Sequence, residues 1–476
     1  MSIQNDLQGE QPGISRRSML SRSAGVGIAL SGSMTGLFGS GTAHAGVMDR
    51  AGKAPKGSAG YGPLVDDPDG ILSLPEGFSY KVVAHAGDTK LESGEFTPSD
   101  PDGTAAFVRR GGAGSVLVVN HEVNGSEPYP VPKPAGFVYD PAAKGGTTNI
   151  VVDKEGNRVR EYVSLAGTHN NCAGGRSPWG TWLTCEEAES FAGQTKPHGY
   201  VFEVDPHDQD ANRDPKPVKA MGRYAHESLV IDPDTGVTYL TEDASNPNGL
   251  LYRWTPPEAA LPLDKGVLRT LADDAGVLEA MKASTLGGAH VPDLSPATEP
   301  GTTYAIEWVD VPDRDAKTAS TRKQFTNSQI TRSRKLEGMW WGDGGAYFVC
   351  SFARFGDGSL AQHDGQVWFL DPLAQTIELK LHFAYTTPDQ DTDPDGPDNI
   401  TVSAYGGLIV AEDGEGKQHL VGATQSGETF FFARNEVAGD SEFAGPTFSH
   451  DKKILFANIQ EPGYVLAITG PFTRQR

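Results

Sequence analysis

Residues 180–187 read Gly-Thr-Trp-Leu-Thr-Cys-Glu-Glu, and residues 199–206 read Gly-Tyr-Val-Phe-Glu-Val-Asp-Pro. Short runs of aromatic and β-branched residues bounded by Gly, Asp and Pro are typical of β-strands. The first run ends in two carboxylates, so the sequence places charge where that strand leaves its sheet. The two runs together predict neighbouring strands with an acidic strand end.

This arrangement recurs along the chain. Runs that end in a carboxylate occupy three further positions, at 115–122, 237–243 and 407–413. A second aromatic run follows at 249–254, 365–372 and 427–432. Units also open on a short polar turn that leads into an apolar strand, and five such openers are Asn170-Asn171-Cys172, His226-Glu227-Ser228, Leu336-Glu337-Gly338, Pro397-Asp398-Asn399 and Gly445-Pro446-Thr447.

The openers follow one another at intervals of about 50 residues, with one interval of double length. A period of this size in short strands is typical of a β-propeller. We therefore predict an all-β fold, a six-bladed β-propeller over 71–476, with its first unit at about 101–165. Residues 285–335 are predicted to form an insertion between blades three and four. A two-sheet sandwich is the alternative, and it explains the repeats less well.

Two local predictions accompany this fold. The strand Phe78-Ser-Tyr-Lys-Val-Val83 could pair beside the last blade and close the ring, which would remove exposed strand edges. The clearest candidate for a helix is about 271–282.

The N-terminus has the features of an export signal. Arg16 and Arg17 precede a Gly-rich, weakly apolar run and an Ala43-His44-Ala45 cleavage site. We predict a twin-arginine signal peptide at 1–45, which implies passage through the twin-arginine translocase and a periplasmic or extracellular location. Residues 46–70, rich in Gly, Ala, Lys and Pro, are predicted to form a flexible lead-in.

Charge and cysteine content exclude some classes of function. The net charge of −22 argues against nucleic acid and anionic membranes as partners, since both require basic surfaces. It suits a protein with many oxygen ligands for hard cations such as calcium. The three cysteines, Cys172, Cys185 and Cys350, cannot form a disulfide framework, and we expect a monomer.

The openers contain the candidate site. First strands line the channel of a propeller, so Cys172, Glu227, Glu337, Asp398 and Asn399 should converge there. Carboxylates crowded around one channel repel one another unless cations neutralise them. Oxygen ligands favour calcium, and a thiolate beside carboxylates favours a transition metal such as iron. Cys172 is preferred as the ligand because it lies on an opener, whereas Cys185 lies within a strand and could be either a ligand or a packing residue. Cys350 reads as a buried packing residue.

The sequence resembles the PhoX-type alkaline phosphatases, a family of exported six-bladed propellers. The resemblance rests on Asn120-His121-Glu122, on Asn170-Asn171-Cys172-Ala173-Gly174-Gly175, and on the long motif at 177–187. It continues at 222–227, at Lys335-Leu336-Glu337-Gly338 and at Pro397-Asp398-Asn399.

The resemblance implies hydrolysis of phosphate monoesters at a mixed iron–calcium cluster in the channel. It implies that Cys172 binds iron, that Glu227 and Glu337 are cluster carboxylates, and that Asp398 and Glu122 are calcium ligands. The family pattern has Arg two residues before the opener's Glu, whereas this chain has Lys335 there, beside Arg334. We expect these two cations to contact the phosphate of a small ester.

Two other functions fit part of the pattern. A calcium-dependent lactonase or esterase propeller would use a Glu-Gly turn and an Asp-Asn pair but would need no thiolate. A binding propeller without enzymatic activity would hold structural metals only. The opener that contains Cys172 favours the phosphatase.

Overall fold

The computed structural model describes residues 59–352, 364–383, 393–414, 416–439 and 441–475, and the predicted signal peptide at 1–45 lies outside them. Within the described residues the secondary structure consists of 27 β-strands and five short 3-10 helices. None of these helices has the length and apolar character needed to cross a membrane. The prediction of an all-β fold is confirmed.

The first half of the described chain contains three leading strands and three groups of strands, called units 1 to 3. The leading strands are β1 (Leu64–Val65), β2 (Leu72–Pro75) and β3 (Ser79–His85). Unit 1 consists of β4 (Pro101–Val108), β5 (Ser115–His121), β6 (Gly145–Val152) and β7 (Arg158–Thr168). Unit 2 consists of β8 (Asn171–Arg176), β9 (Trp182–Glu186) and β10 (Val201–Val204). Unit 3 consists of β11 (His226–Ile231), β12 (Thr238–Glu242), β13 (Leu251–Thr255) and β14 (Val277–Thr285).

The second half contains two connecting strands and units 4 to 6. The connecting strands are β15 (His290–Val291) and β16 (Thr303–Asp310). Unit 4 consists of β17 (Leu336–Gly342), β18 (Gly345–Cys350), β19 (Gly365–Asp371) and β20 (Thr376–Phe383). Unit 5 consists of β21 (Pro397–Val402), β22 (Leu408–Glu412), β23 (His419–Ala423) and β24 (Thr429–Asn435). Unit 6 consists of β25 (Phe443–Phe448), β26 (Ile454–Ile459) and β27 (Tyr464–Thr469). The 3-10 helices lie in connections, at Gln209–Asn212, Lys219–Met221, Glu258–Ala260, Leu268–Thr270 and Thr321–Gln324.

The units form a propeller-like arrangement in which four of the six are separate sheets. Units 1 and 2 stand alone, unit 5 is extended by β1 and β2, and unit 6 is completed by β3. Units 3 and 4 depart from the predicted separate blades, because they share one ten-stranded sheet. Strand β16, within the predicted insertion at 285–335, pairs with both β14 and β20, so it joins the outer edges of the two units.

Strand β3 closes the arrangement, as the sequence predicts. It pairs antiparallel with β27, with Ser79 opposite Thr469 and His85 opposite Tyr464. The N-terminal part of the described chain therefore completes the last unit. This pairing covers the edge of β27, an edge that would otherwise be free to pair with another chain.

Six apolar clusters lie between successive units. They join units 1 and 2, 2 and 3, 3 and 4, 4 and 5, 5 and 6, and finally 6 and 1. Many inner and middle strands are buried on both faces, which explains why they read as continuous apolar runs rather than as alternating patterns. The first strands β4, β8, β11, β17, β21 and β25 also contact one another in a closed ring.

The predicted helix at 271–282 is wrong. Part of this segment forms β14, which pairs with β13 on one side and β16 on the other. Leu278, Ala280 and Ala283 are buried in the flanking apolar clusters. Pairing on both edges satisfies the backbone of this segment, so tertiary context overrides its local helical pattern.

The predicted lead-in at 46–70 falls partly within the described residues. Strand β1 lies in it and pairs with β2. Tyr61 contacts the rings of Phe78, Phe430 and Phe432, and its hydroxyl donates a hydrogen bond to the Thr473 carbonyl. Residues 59–70 thus pack where the two ends of the described chain meet.

Candidate metal centre

The first strand of every unit contains the same irregularity. At one point, two consecutive residues of the first strand lie opposite a single residue of the second strand, which is a β-bulge. In unit 2, for example, Asn171 is paired with Glu186 and Gly174 with Thr184, so Cys172 and Ala173 share Cys185 as their partner. A bulge turns its side chains away from the regular alternation of the strand.

The leading bulge residues form a ring because the first strands do. In chain order they are Asp102, Cys172, Glu227, Glu337, Asp398 and Gly445. Five of these six positions therefore have a side chain that can bind a metal ion. The residue at the sixth position must be small, since a Cβ atom on Gly445 would lie 2.4 Å from the Asp102 carbonyl oxygen.

Neighbouring units satisfy the backbone carbonyls that the bulges release. Asn120 Nδ2 donates to the carbonyl oxygens of Cys172, at 2.9 Å, and Ala173, at 2.7 Å. Thr241 Oγ1 donates to the Glu337 carbonyl oxygen at 2.8 Å. Buried carbonyls without partners would be costly, so these bonds stabilise the bulged conformation at the axis.

A second set of polar side chains follows the second strands. The residues immediately after β5, β9, β12, β22 and β26 are Glu122, Glu187, Asp243, Asp413 and Gln460. The side chain of a strand's last residue and the side chain of the residue after it point in opposite directions. Only one of these two side chains can therefore face the ring. Glu187 and Asp413 do so, because their carboxylates lie close to residues of the ring.

Three groups of potential ligands result. In each group the ligand atoms lie within 4.8 Å of one another. The groups are Cys172 with Glu187 and Glu227, Glu227 with Glu337 and Asp398, and Asp398 with Asp413 and Glu442. Because Glu227 and Asp398 each belong to two groups, the three form one connected cluster.

Burial, and after it mutual repulsion, disfavours the charged forms of the acidic groups in this cluster. Burial, followed by the charge of Glu337, raises the pKa of Glu227 well above its usual range. Burial and the charge of Asp243 do the same for the pKa of Glu187, and burial and the charge of Glu227 raise the pKa of the Cys172 thiol. Such groups become stable as anions when multivalent cations lie between them. The residues present therefore fit metal ions.

Two residues in a left-handed backbone conformation bridge the acidic side chains. Asn170 (φ 53°) and Lys335 (φ 46°) each precede the first strand of their unit. Asn170 Nδ2 donates to Glu122 at 3.1 Å and to Glu187 at 3.0 Å. The Lys335 ammonium lies 2.8 Å from Asp243 and 3.0 Å from Glu337. A left-handed lysine costs on the order of 1 kcal/mol, which the two ion pairs offset.

The structure places the predicted site residues as follows. It brings Cys172, Glu227, Glu337 and Asp398 together, and Lys335 beside them. Glu122 lies at the unit 1 side, outside the three groups. The side-chain Oδ1 of Asn399 accepts a hydrogen bond from the Gly445 backbone amide at 2.7 Å, which links units 5 and 6.

Arg334 lies beside a residue of the insertion. Its Nε lies 3.8 Å from Asp293, within the insertion, and the structure gives no contact between Arg334 and the acidic cluster among the described residues. Of the two predicted phosphate contacts, only Lys335 touches the cluster. The two cations on neighbouring positions therefore serve different parts of the molecule.

The other two cysteines pack in the core. Cys185 is fully buried in the apolar cluster between units 2 and 3, and Cys350 in the cluster between units 3 and 4. Neither belongs to a group of potential ligands among the described residues. This agrees with the prediction for Cys350, and it places Cys185, for which the sequence left both roles open, in the core.

Four potential ligands were not assigned from the sequence: Asp102, Glu187, Asp413 and Glu442. Acidic doublets at strand ends were the available signal for two of them, since Glu186-Glu187 and Glu412-Asp413 have the same form. No pattern in the sequence singles out Glu442, which precedes its strand rather than following one.

The first residue of each doublet has a structural role. Glu186 accepts hydrogen bonds from the backbone amides of His169, Gly199 and Tyr200. Glu412 accepts bonds from the amides of Asp395 and His419. These carboxylates hold the loops around the ring, and the second residue of each doublet faces the ring.

The axis is nearly closed on one side of the ring. A cavity of about 20 Å³ lies there, which has room for about one water molecule. It is lined mainly by residues at and after the bulges, among them Gly103, Ala173, Ser228, Gly338, Asn399 and Pro446. Glu187, Asp398 and Asp413 are partly exposed, so the cluster is not sealed from solvent.

A buried histidine supports the unit 2 side of the ring. His198 lies between Glu186, at 2.6 Å, and Asp140, at 3.3 Å, and all three side chains are fully buried. Burial alone would lower the pKa of His198, but hydrogen bonds and the charges of Glu186 and Asp140 raise it above its usual value. The folded protein therefore favours the charged imidazolium.

Replacing His198 by alanine should destabilise the protein by about 3–5 kcal/mol, because it leaves two buried carboxylates without their partner. Since the folded pKa is raised, this stabilisation is fully present below about pH 6.5 and declines as the pH rises through the folded value. Urea unfolding of wild type and His198→Ala should therefore differ more at pH 6 than at pH 9. The exposed His450→Ala variant is the control, and a loss that is equal at both pH values would contradict this account.

Comparison with known proteins gives one family. The profile of the family described as "Alkaline phosphatase PhoX" matches residues 59–161 and 155–463. No curated protein sequence matches the chain.

Three solved structures are similar, each with low sequence identity. XC5397 from Xanthomonas campestris, a gluconolactonase, is 11% identical with a TM-score of 0.43, covering 87% of this chain and 99% of that chain. The holo pyranose dehydrogenase PQQ domain from Coprinopsis cinerea is 10% identical with a TM-score of 0.39, covering 84% and 97%. The Cps50 (Swd1) β-propeller domain from Myceliophteria thermophila is 10% identical with a TM-score of 0.40, covering 83% and 100%.

The family profile spans nearly all of the described residues, including units 1 to 5, the first two strands of unit 6 and every potential ligand of the ring. The chain belongs to the PhoX alkaline phosphatase family.

Proposed function

We propose that the protein hydrolyses phosphate monoesters at the acidic ring, with iron and calcium bound there, after export from the cytoplasm. The observation that carries the proposal is the connected cluster of three ligand groups that share Glu227 and Asp398. Family membership supports the class of reaction. The expected substrates are small phosphate esters.

The proposed architecture is a six-bladed propeller in which units 3 and 4 are two blades joined at their outer edges. Six apolar clusters between successive units support this, as do six equivalent bulges. In this architecture each blade would have one leading bulge residue at the axis, and five of the six have a side chain that can bind a metal ion.

The donor atoms suggest how the metals are divided. Cys172, Glu187 and Glu227 combine a thiolate with carboxylates and suit iron, whereas Asp398, Asp413 and Glu442 offer only oxygen and suit calcium. When bound, the cations would supply positive charge that polarises the phosphoryl group. Glu337 lies between these two ends of the cluster and would contribute to both.

Lys335 would bind the phosphate of the substrate. Among the described residues it is the cation seen to contact the cluster, and its ammonium is held by Asp243 and Glu337. An ammonium can act as a point charge toward a phosphate oxygen without the two-pronged geometry of Arg. The Lys335 side chain is 25% exposed, so it lies at the edge of the ring.

Lys335→Gln should lower kcat/KM for a phosphate monoester by about 10- to 100-fold, the equivalent of one charge-assisted hydrogen bond. Lys335→Arg should retain much of the activity, since it keeps the charge. The exposed pair of Lys282 with Glu307 provides a matched control in Lys282→Gln. Steady-state kinetics with p-nitrophenyl phosphate measures all three, and wild-type kcat/KM in Lys335→Gln would remove this residue from the site.

The class of reaction is tested with the metal-loaded, natively exported protein and two substrates. We expect release of phosphate from p-nitrophenyl phosphate and no hydrolysis of a sugar lactone. Lactone hydrolysis without phosphatase activity would favour the calcium-dependent lactonase. Activity toward neither substrate, with metals bound, would favour a binding propeller.

We propose export by the twin-arginine route from the leader alone. We also propose that the mature protein is a monomer without membrane or nucleic-acid partners. Changing Arg16 and Arg17 to lysine together should block export, which cell fractionation detects. Efficient export of this double variant would contradict the proposed route and weaken the case for metal loading before export.

A further inference from the structure

Part of the insertion between units 3 and 4 is fixed to units 2 and 3. Residues 312–333, called the crossing segment, lie between β16 and β17. Tyr200, which precedes β10 of unit 2, donates a hydrogen bond to Asp315 at 2.7 Å. Arg314 donates at 2.9 Å to the carbonyl oxygen of Ala275, which precedes β14 of unit 3. The crossing segment therefore contacts two neighbouring units at once.

The acidic doublets at second-strand ends have a basic side chain beside their first residue. In unit 2 it is His198, 2.6 Å from Glu186, and in unit 5 it is His419, 2.9 Å from Glu412. Each histidine lies at the start of the third strand of its own unit or shortly before it. Unit 3 has a doublet of the same form at the end of β12, but residues 243–250 contain no histidine, lysine or arginine. The basic partner in unit 3 must come from elsewhere.

Arg322 of the crossing segment is that partner. Its Nη1 donates to Glu242 Oε1 at 3.1 Å, and the Tyr252 hydroxyl donates to the other oxygen of the same carboxylate at 2.8 Å. The same Nη1 donates at 3.0 Å to Glu189 Oε1, in the connection that follows β9 of unit 2. Ser320 Oγ donates to the second Glu189 oxygen at 3.0 Å. One guanidinium thus links the second-strand ends of two units, which neither histidine does.

The three charged groups of this link are shielded from water. The side chain of Arg322 is 12% exposed, that of Glu189 is 19% exposed, and that of Glu242 is fully buried. Burial lowers the pKa of Arg322, but the charges of Glu242 and Glu189 outweigh it and raise that pKa above its usual value. Charge pairs away from solvent are screened less than exposed pairs, so both carboxylates are held firmly.

Both carboxylates lie next to residues of the metal centre. Glu189 is two residues after Glu187, a member of the ligand group that contains the thiol. Glu242 immediately precedes Asp243, which holds the Lys335 ammonium at 2.8 Å. The charge of Asp243 acts on the Glu187 carboxylate, so these two groups face each other across the junction of units 2 and 3.

We propose that Arg322 is a positioning residue for the metal centre, because it ties units 2 and 3 together and so fixes Glu187 relative to Asp243. Groups behind a metal ligand orient it, and small displacements of reacting groups are costly for catalysis. The proposal rests on the proposed function only in treating Glu187 as a metal ligand and Lys335 as a phosphate contact. It gives the insertion a role at the site without contact to the substrate.

The test compares the exported holoprotein with Arg322→Met and with a matched control, Arg314→Met. Arg314 anchors the same crossing segment through the backbone carbonyls of Ala220, Ala275 and Gly276, and no contact with Glu189 or Glu242 is found for it in the described parts of the chain. Iron retention against increasing chelator and the kcat for p-nitrophenyl phosphate are measured on each, with circular dichroism as the check of folding.

We expect Arg322→Met to hold iron about 10- to 100-fold less tightly and to lose kcat by a similar factor, as changes behind metal ligands do. Arg314→Met should match wild type in both measurements. Arg322→Lys should recover part of both losses, since an ammonium keeps the charge between the two carboxylates but not the geometry of the guanidinium.

Glu189→Gln decides the matter if Arg322→Met does not fold, because it weakens the unit 2 side of the link and leaves the pair of Arg322 with Glu242 in place. It should lose iron affinity and kcat by about 10-fold. Wild-type values in Arg322→Met or in Glu189→Gln, or equal losses in Arg322→Met and Arg314→Met, would overturn the proposal. Weaker iron binding in Arg322→Met, from a wild type without phosphatase activity, would leave the positioning role standing and refute the proposed function alone.

Discussion

Replacing Cys172 by serine is expected to remove iron from the protein and to abolish most of its phosphatase activity. The thiol is 3% exposed, lies in one ligand group with Glu187 and Glu227, and is the only sulfur in any group of the described residues. A hydroxyl is a poor donor for iron compared with a thiolate. Since even outer-shell changes cost 10- to 100-fold in metal affinity, we expect a loss of more than about 100-fold.

The other cysteines provide the control. Cys185→Ser should keep its iron, and its cost should be confined to folding, about 1–3 kcal/mol for a hydroxyl placed in the apolar cluster between units 2 and 3. Iron content, circular dichroism and hydrolysis of p-nitrophenyl phosphate are measured on both variants. A Cys172→Ser protein that keeps iron and full turnover would refute the assignment. Iron loss in Cys185→Ser alone would mean that the sulfur ligand is on the second strand.

Glu227→Gln should have the widest effect on metal content. Glu227 is 3% exposed and belongs to two of the three ligand groups, so its loss removes a donor from both. We expect iron and calcium to fall together and activity to drop by more than about 100-fold, because an amide offers a neutral oxygen where a shared anion is needed. Elemental analysis and phosphate release measure the two effects.

Glu203→Gln is the matched control for Glu227→Gln. Glu203 is also buried, but it lies on β10 and accepts bonds from Trp179 and Thr181, away from the ring. It should keep both metals. A Glu227→Gln variant that loses only one metal would show that the two groups do not share this carboxylate.

The sequence was sufficient to predict which strands converge. Openers such as His226-Glu227-Ser228 lie on first strands because polar turns lead into apolar runs at a regular interval. The closing strand β3 was also predicted, since an unpaired run before the first unit needs a partner. The regular spacing of the openers and the closing strand together predict that four side chains converge: Cys172, Glu227, Glu337 and Asp398.

Direction of the side chains could not be predicted. Whether Glu186 or Glu187 faces the ring depends on the register of β9 against β8, and that register depends on a one-residue bulge. A bulge has no distinct signature in the sequence, so Asp102 was missed although it occupies the same position as Cys172. The bulge equivalence is visible only once the strands are paired.

The remaining misses have tertiary causes. The segment that forms β14 has a helical pattern, but β13 and β16 pair with both of its edges. The merging of units 3 and 4 depends on β16, whose two partners lie far apart in the sequence. Pairings of this kind are not encoded in local propensity.

The most direct test of the account is a crystal structure of the natively exported protein with data collected at the iron absorption edge. The account predicts an anomalous peak bonded to Cys172 Sγ and flanked by the carboxylates of Glu187 and Glu227, which falls sharply just below the iron edge. It predicts cation density near Asp398, Asp413 and Glu442 whose anomalous signal does not change across that edge. A ring without an iron peak, or iron bound only away from Cys172, would contradict it.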